Sequence, residues 1–367
     1  MPAESNMKMA DTQARTAGGA IPAGGKVRTR AAASDGTPAG ASLSQLTQLY
    51  TSFAIRGLAT LGVADALASG PAPVEDLAEA VQANTDALYR TLRFAASVGV
   101  FTELPGRVFA LNTAAEGLRS GTPGSMRPSL VIDDNTLTRL RMLAEIPHTL
   151  STGESGYHKV HGIGPFEAAA KRAGNVRVAV RPGSAEMLAS SVLQADDFSA
   201  DRVVVDVGGG TGAMLGAVLT RYPRLTGVLF DLPSVIAEAP KTLEPLGVTE
   251  RCQLAGGDMF QAVPDGGDVY LLSFVLHDWG DDRAAAILAN LRAAMTDQAR
   301  LLVVETLITE GPQAAHSIQQ DFMMLVNGGG RERTADEHAA LLADAGFRLT
   351  RMTPIRAGLS ILHAQPG

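Results

Sequence analysis

The stretch VVVDVGGGTG, residues 203–212, joins a short apolar run to a turn rich in glycine. A near-continuous apolar run of this length is typical of a buried strand in a parallel sheet. The glycines allow the backbone to approach a ligand closely, and the segment from residue 213 onward is expected to form a helix that offers free N–H groups. The spacing of Gly208 and Gly210 fits a loose dinucleotide-binding pattern, which alone does not separate nicotinamide from nucleoside cofactors.

After this turn, apolar runs alternate with helical patterns to the end of the chain. Strands are predicted at 203–207, 227–232, 252–258, 268–276, 299–307, 348–355 and 359–364. Helices are predicted at 213–223, 281–295 and 334–347. Such alternation predicts a doubly wound α/β fold with seven strands in its sheet, and ligands of this fold bind at the carboxyl ends of the strands.

Carboxylates stand at three of these strand ends. Asp206 ends the first strand, and Asp231 ends the second, where an acid can accept hydrogen bonds from ribose hydroxyls. The alternative for Asp231 is a helix cap before Pro233. Asp258 ends the third strand and is followed by Met259, so a carboxylate that accepts from an adenine amino group lies beside a thioether that can cover the ring.

Composition excludes several classes of protein. Hydrophobic residues make up 46% of the 367 residues and charged residues 19%, so a sizeable core is expected rather than a disordered chain. The net charge of −7 argues against nucleic acid as the main partner. The single cysteine, Cys252, allows neither an internal disulfide nor a cysteine zinc cluster. With no apolar run of about 18 residues and no secretory h-region, no membrane contact is expected, and the cytoplasm is the expected location.

The chain divides into four predicted parts: a disordered tail at 1–42, a mostly helical winged-helix module at 43–120, a helical linker and pocket region at 121–195, and the α/β domain at 196–367. The module's helix around 87–96 carries Arg90 and Arg93 on a largely apolar surface. Two arginines make a poor electrostatic footprint for DNA, so packing or dimerisation is the favoured role. In the linker, His158 and His161 lack a third ligand at recognisable spacing, which favours pocket lining over metal binding.

The three acids after the glycine turn resemble those of class I S-adenosylmethionine (SAM) methyltransferases with a Rossmann-like sheet. Three further motifs sharpen the resemblance, namely LSFVLHDWGDD (272–282), VVETL (303–307) and MMLVNGGGRERT (323–334). Together they resemble the plant-type O-methyltransferases and their bacterial antibiotic-pathway members, which carry an amino-terminal winged-helix dimerisation domain. The resemblance spans residues 43–365 and implies SAM as cofactor and a homodimer.

The resemblance also implies roles for individual residues. His277 of the LHDW motif corresponds to the family's catalytic base, and Glu305 and Glu332 correspond to the two acids that flank it. The residues expected to bind the cofactor are Asp206, Gly208, Gly210, Asp231, Leu232, Asp258, Met259 and Ser273. For the substrate we expect Met323, Asn327 and Asp278; Met323 has core packing as its alternative and Asn327 a turn.

The chemistry of methyl transfer to oxygen agrees with these roles. A phenol titrates near pH 10 and must lose its proton as it attacks, and a neutral imidazole can accept that proton in the transition state. A carboxylate on the second ring nitrogen fixes the tautomer and stabilises the imidazolium. Glu305 or Glu332 can provide it, and no metal is required.

The sequence therefore predicts a SAM-dependent O-methyltransferase that acts on a phenolic hydroxyl of a small aromatic secondary metabolite. Relatives that bind the same cofactor but catalyse hydroxylation, decarboxylation or a pericyclic step provide the first alternative. A ligand-sensing regulator that uses the winged helix is the second. A nicotinamide oxidoreductase is the least favoured, because Asp258-Met259 and the LHDW motif have no role in it.

Overall fold

The computed structural model describes residues 48–171, 184–311, 314–355 and 358–367. The predicted tail at 1–42 lies outside these residues, as does the start of the predicted winged-helix module. Within the described ranges, no helix is both long enough and apolar enough to cross a membrane.

The amino-terminal module consists of short helices around a small antiparallel sheet. Its elements are α1 (Leu49–Leu61), α2 (Val63–Ala66), β1 (Ala72–Pro73), α3 (Val74–Ala80), α4 (Thr85–Ser97), β2 (Thr102–Leu104), β3 (Val108–Ala110) and α5 (Thr113–Glu116). The strands lie in the order β1-β3-β2. Asn84 caps α4 by accepting from the backbone N–H of Ala87, as its sequence predicts. The module is thus mostly helical, as the sequence predicts, and its winged-helix arrangement stays a prediction.

Helices connect the module to the large sheet. They are α6 (Arg127–Leu130), α7 (Asp134–Ala144), α8 (Ile146–Thr152), α9 (Gly156–His161), α10 (Pro165–Lys171) and α11 (Ser184–Ala195). Glycines in the left-handed conformation end α8 and α9, at Gly153 and Gly162. The resulting short, sharply turning helices lie along one side of the cavity described below.

The carboxyl-terminal domain alternates strands and helices. Its elements are β4 (Val203–Val207), α12 (Ala213–Arg221), β5 (Thr226–Asp231), α13 (Pro233–Ile236), α14 (Pro240–Leu243), β6 (Cys252–Gly256), β7 (Val269–Ser273), α15 (Asp281–Ala294), β8 (Arg300–Ile308), α16 (Ala314–Asn327), β9 (Arg333–Thr334), α17 (Ala335–Asp344), β10 (Phe347–Pro354) and β11 (Leu359–Pro366). Short 3₁₀ turns add Thr249–Arg251 and Leu276–Asp278.

The seven predicted strands form one sheet in the order β10-β11-β8-β7-β4-β5-β6. The five strands from β4 to β8 are parallel, whereas β11 runs antiparallel to β8 and β10 antiparallel to β11. The short strand β9, which the sequence analysis did not predict, pairs with the end of β8. The reversal of strand order beside β4 opens a crevice at the carboxyl ends, where ligands of this fold bind.

Alternate residues of the central strands fill two cores, one on each face of the sheet. Val205 and Val207 of β4 belong to one core, whereas Val204 belongs to the other. A third core, around Leu58, Leu92 and Phe109, holds the amino-terminal module together. The parallel strands are thus covered on both faces, as their continuous apolar sequences predict.

The strand predicted at 268–276 ends earlier than expected. Phe274 has a φ of +56°, a left-handed conformation that a strand does not tolerate, and the chain then enters the 3₁₀ turn Leu276–Asp278. Apolar residues continue to Leu276, so the sequence pattern does not show this break. The turn carries His277 out of the strand direction and over the end of β8.

Candidate active site

The glycine-rich turn after β4 forms one wall of the crevice. Gly208 has a φ of +70°, and a Cβ there would lie 2.8 Å from Cγ2 of Val275. Glycine is therefore required at this position by both conformation and space. Its backbone N–H donates to the carbonyl oxygen of Phe230 at 2.8 Å, which fixes the turn against β5.

Asp231, the last residue of β5, faces the same crevice. Its Oδ2 accepts from the backbone N–H of Gly210 at 2.8 Å, and its Oδ1 accepts from that of Leu232 at 2.7 Å. Burial raises the pKa of this carboxyl, while the two backbone donors oppose that shift. Asp231 is therefore held rigidly, and a carboxylate oxygen has a second lone pair for a ligand hydroxyl.

A cavity of about 730 Å³ lies at these strand ends. Its volume is within the range of small-molecule and cofactor sites. The sheet side contributes Gly208, Phe230, Asp231, Leu232, Gly257, Asp258, Met259, Phe260, Phe274, Val275, Asp278, Trp279, Gly280 and Arg283. The helical side contributes Gly153, Glu154, Ser155, His158, Gly164, Pro165, Phe166, Glu167, Gly328 and Gly329.

Aromatic side chains and one carboxylate form the end of the cavity near β6. The rings of Phe260 and Trp279 meet edge to face, with centroids 4.9 Å apart. The guanidinium of Arg283 lies 4.1 and 4.0 Å from these two centroids. Asp258 lies beside them on the wall. Flat apolar faces next to an acceptor carboxylate suit a purine base with an exocyclic amino group.

Glu305 fixes the backbone of the turn that contains His277. It lies on β8 and is fully buried, and its Oε1 accepts from the backbone N–H groups of Val275 and Leu276 at 3.1 and 2.9 Å. A weaker contact of 3.4 Å joins the same oxygen to the N–H of His277. One carboxylate thus satisfies the free donors of the turn, which fixes the position of the imidazole.

Arg333 holds the carbonyl side of the same turn. Its guanidinium, only 1% exposed, donates to the carbonyl oxygens of Leu276 and Trp279 at 3.0 and 2.9 Å and to the carboxylate of Asp281. Nearby, a Cβ on Gly330 would lie 2.2 Å from the carbonyl oxygen of His277, so only glycine fits there. The NGGGRERT motif therefore packs directly against the LHDW motif.

Three carboxylates surround the imidazole of His277. Nδ1 lies 3.1 Å from Oε1 of Glu332 and 3.6 Å from Oε2 of Glu305, and Nε2 lies 3.5 Å from Oδ1 of Asp278. Burial lowers the pKa of His277, but the carboxylates together outweigh it and raise that pKa to about 9. Burial raises the pKa of Glu305 to about 7 and that of Asp278 to about 6. The cluster therefore holds at least one proton near neutral pH.

The three predicted catalytic residues His277, Glu305 and Glu332 are thus in contact with one another, but His277 lies behind the residues that line the cavity. Its side chain is 14% exposed, and the residues of its turn that line the cavity are Phe274, Val275, Asp278 and Trp279. With Nδ1 hydrogen-bonded to Glu332, Nε2 is the nitrogen on the side of Asp278 and the cavity. A ligand hydroxyl bound at this nitrogen would lie next to Asp278.

The predicted cofactor residues separate into two groups. Five of them line the cavity, namely Gly208, Asp231, Leu232, Asp258 and Met259. Asp206 differs from the expectation, since it is fully buried under the glycine turn and burial raises its pKa to about 7. Gly210 turns its N–H to Asp231, and Ser273 is the last residue of β7. Asp206 therefore supports the turn from beneath, whereas the cofactor roles of Gly210 and Ser273 stay predictions.

The predicted substrate residues also fall into two groups. Asp278 lines the cavity, as expected. Met323 and Asn327 lie on α16 and are half-buried, but the cavity wall is formed by the glycines that follow this helix, Gly328 and Gly329. The roles of Met323 and Asn327 in substrate binding therefore stay predictions.

Several lining residues were not predicted as site residues. Phe274 lies inside the LSFVLHDWGDD motif and Arg283 directly follows it, but neither was assigned a role, because the positive φ at Phe274 leaves no signal in a non-glycine residue. His158, which the sequence suggested only as a pocket residue, does line the helical side, together with Glu154 and Phe166.

Comparison with known proteins adds the family. A model of the O-methyltransferase domain matches residues 143–348, and a model of the O-methyltransferase dimerisation domain matches residues 43–119. A phenazine O-methyltransferase, PhzM, from Lysobacter antibioticus is 41% identical over 88% of this chain and 95% of its own. The aclacinomycin 10-hydroxylase RdmB from Streptomyces purpurascens is 32% identical over 84% of each chain.

A solved structure is similar over almost the whole chain. NcsB1, an O-methyltransferase from neocarzinostatin biosynthesis, was solved in complex with SAM and 2-hydroxy-5-methyl naphthoic acid. It has a TM-score of 0.76 at 30% identity, covering 90% of this chain and all of its own.

The fold and the crevice at its strand ends define a methyltransferase. More particularly, the chain belongs to the O-methyltransferase family that carries a dimerisation domain, and the predicted family, fold class and enzyme class are confirmed. Solved relatives hold SAM or its demethylated product S-adenosylhomocysteine, which confirms the expected cofactor for the family.

Proposed function

We propose that this enzyme transfers a methyl group from SAM to a phenolic hydroxyl of an aromatic secondary metabolite, with His277 as general base. The observation that carries the proposal is the orientation of the imidazole. Nδ1 lies 3.1 Å from Glu332, and Nε2 lies next to Asp278, a residue of the cavity wall. This arrangement leaves the outer ring nitrogen for a hydroxyl bound in the cavity.

The residues of the sheet side fit the cofactor by their chemistry. Asp231 offers carboxylate lone pairs to the ribose hydroxyls, and Asp258 offers them to the adenine amino group. Phe260 and Trp279 provide flat faces for the base, and Gly208 lets the backbone approach closely. When bound, SAM supplies an electrophilic methyl group on a positively charged sulfur.

The proton of the acceptor is handled by the chain itself. Neutral His277 accepts it at Nε2 while Nδ1–H donates to Glu332, so the positive charge of the resulting imidazolium lies between Glu332 and Glu305. Because the pKa of His277 is raised to about 9, the imidazole must first lose a proton at neutral pH. A cation bound in the cavity assists this loss, since like charges disfavour the protonated form.

Two alternative functions can be compared with methylation on the basis of these residues. RdmB, a relative, carries the name of a hydroxylase, so a SAM-binding homologue with another reaction is the second candidate. The complete set of His277, Glu305 and Glu332 favours proton abstraction and hence methylation. A DNA-binding regulator is disfavoured because Arg90 on α4 lies 3.8 Å from Asp86, which offsets its charge.

We further propose that the enzyme is a homodimer and is located in the cytoplasm.

Metal-independence is a further part of the proposal. Among the described residues, His277, Glu305 and Glu332 are the one group of possible ligands whose donor atoms lie within 4.8 Å of one another. However, Oε1 of Glu305 already accepts from the backbone, which leaves one free oxygen on each glutamate, and Nδ1 of His277, which is hydrogen-bonded to Glu332, must be free of its proton before it can ligate. We expect activity to be unchanged after dialysis against EDTA and after addition of Mg²⁺ or Zn²⁺. Loss with EDTA and recovery with one of these ions would contradict the expectation.

Calorimetry tests the cofactor and mass spectrometry tests the reaction. We expect micromolar binding of SAM and S-adenosylhomocysteine and none of NADH. Asp231→Asn, which keeps the side-chain shape but removes the charge and one acceptor, should weaken binding at least tenfold. A screen of phenols should then give a product heavier by one methyl group. Folded protein that binds neither SAM nor S-adenosylhomocysteine would refute the proposal.

A further inference from the structure

The helical side of the cavity contains a second imidazole that is held by a carboxylate. Glu154 and His158 both line the cavity, where α8 meets α9. Oε1 of Glu154 accepts from Nδ1 of His158, and its Oε2 pairs with Nε2 of His148 at 2.7 Å. These bonds lower the pKa of Glu154, the one from His148 most. The carboxylate is therefore charged and fixed at both oxygens.

This pairing determines what His158 presents to a ligand. A carboxylate only accepts, so the proton of the neutral ring is on Nδ1, and Nε2 has a free lone pair. Nε2 of His158 makes no hydrogen bond to the described residues. A bound molecule that donates a hydrogen bond from a hydroxyl or amino group is the natural partner of this nitrogen.

The charges around His158 indicate which molecules fit. Glu154 on the helical side and Asp278 on the sheet side are carboxylates on the cavity wall. Arg283, the one arginine among the described lining residues, stacks at the other end on Phe260 and Trp279. An acceptor with its own carboxylate beside His158 would face the like charge of Glu154, whereas an uncharged donor would not; on the sheet side the charge of Asp278 is paired with His277.

We propose that His158, positioned by Glu154, anchors the methyl acceptor through a second hydrogen-bond donor, and that the enzyme therefore prefers uncharged aromatic acceptors with two such groups. The inference rests on the proposed function, because it assigns the helical side of the cavity to the acceptor. His277 would deprotonate one hydroxyl while His158 accepts from the other group.

Calorimetric titration of three related probes tests the proposal without methyl transfer. The probes are 2-naphthol, 2,7-dihydroxynaphthalene and 2,7-dihydroxy-1-naphthoate, titrated into protein saturated with S-adenosylhomocysteine and into protein alone. We expect the diol to bind about tenfold more tightly than 2-naphthol, well above the twofold that its symmetry gives. We expect the carboxylate to bind more weakly than the diol.

Variants of Glu154 and His158 test whether these two residues cause the tighter binding of the diol. His158→Ala and Glu154→Ala should bind the diol and 2-naphthol within about twofold of each other. Glu154→Gln should retain most of the preference, because its amide oxygen can still accept from Nδ1–H. His316→Ala, which removes an exposed imidazole away from the cavity, is the matched control and should retain all of it. Where turnover is measured, KM for the diol should rise in His158→Ala with little change in kcat.

Three results would overturn the inference: an equal affinity of the wild type for the diol and 2-naphthol, a full preference in His158→Ala, or tightest binding of the naphthoate. Failure of the proposed function is seen separately, as absent binding of SAM and S-adenosylhomocysteine. The titrations into protein alone still report on His158 in that case.

Discussion

The imidazole of His277 is the residue on which the proposed chemistry depends. Replacing it with alanine removes the base but leaves Glu305 bonded to the backbone of the turn. We expect turnover of His277→Ala to fall by about 10²–10⁴-fold, the usual contribution of general base catalysis, while SAM binding stays within about twofold. Single-turnover kinetics and calorimetry on the same preparation measure the two quantities. Wild-type turnover in this variant would exclude the base role.

The pH dependence of the reaction should report the raised pKa of His277. Only the neutral imidazole acts as base, so kcat/KM should rise with pH and level off near pH 9, where the free enzyme loses the proton. Glu332→Gln removes one of the charges that stabilise the imidazolium, and this lowers the pKa and moves the rising limb to lower pH. Measuring kcat/KM over the full pH range for the wild type and Glu332→Gln checks this shift. If the rising limb lies at the same pH in both proteins, the titrating group is the acceptor phenol and not His277.

Individual site residues were predictable to the extent that they belong to motifs. LHDW, VVETL and NGGGRERT identify His277, Glu305 and Glu332, and the structure brings these three together. The Glu154–His158 pair belongs to no such motif and has only the i,i+4 spacing of a local pair, whereas the contact of Glu154 with His148 on α8 depends on the turn at Gly153. Asp206 belongs to a motif but lies under the turn, since a sequence gives the position of a side chain and not its direction.

The elements around the turn at 276–278 are held mainly by Arg333, which joins β9 to the start of α15. We expect Arg333→Met to reduce the free energy of unfolding by about 3 kcal/mol, because two buried carbonyl groups and Asp281 lose their donor. Arg331→Met is the matched control. Arg331 is 41% exposed and its ion pairs are at the surface, so its loss should cost under about 1 kcal/mol. Urea unfolding measures both, and equal small losses would contradict the role of Arg333.

Element boundaries were predicted well where periodicity and capping agree. Thr334 caps α17 with a capping box that includes Glu337, and that helix lies within its predicted range. The end of β7 was wrong by three residues because the apolar pattern continues through Phe274 into the turn. Local strain of this kind arises from tertiary contacts, here the bonds of Glu305 to the turn, and these are not visible in the order of apolar residues.

At the scale of the molecule, the amino-terminal module exposes large apolar side chains at the start of α1. Leu49 is 63% exposed and Tyr50 is 83% exposed. We expect the wild type to sediment as a dimer at micromolar concentration and a Leu49→Asp, Tyr50→Asp variant to dissociate, because a charge buried in an interface is costly. Arg90→Asp, a charge change on exposed α4, is the control and should remain dimeric. A stable wild-type monomer would refute the expected homodimer.

The seven strands and their parallel core were predictable because buried parallel strands give continuous apolar runs. The helical pocket region was predicted as a whole at 121–195, but the bounds of α8 to α10 were not, since these helices are only six or seven residues long.

The two sides of the cavity have different origins in the chain. The sheet side includes the ends of β4, β5 and β6, whose relative positions the sheet fixes, whereas Glu154, His158 and Phe166 come from a contiguous set of short helices outside the sheet. Gene duplicates can therefore accumulate changes in residues 146–171 and acquire new small-molecule scaffolds while they inherit the nucleotide half unaltered.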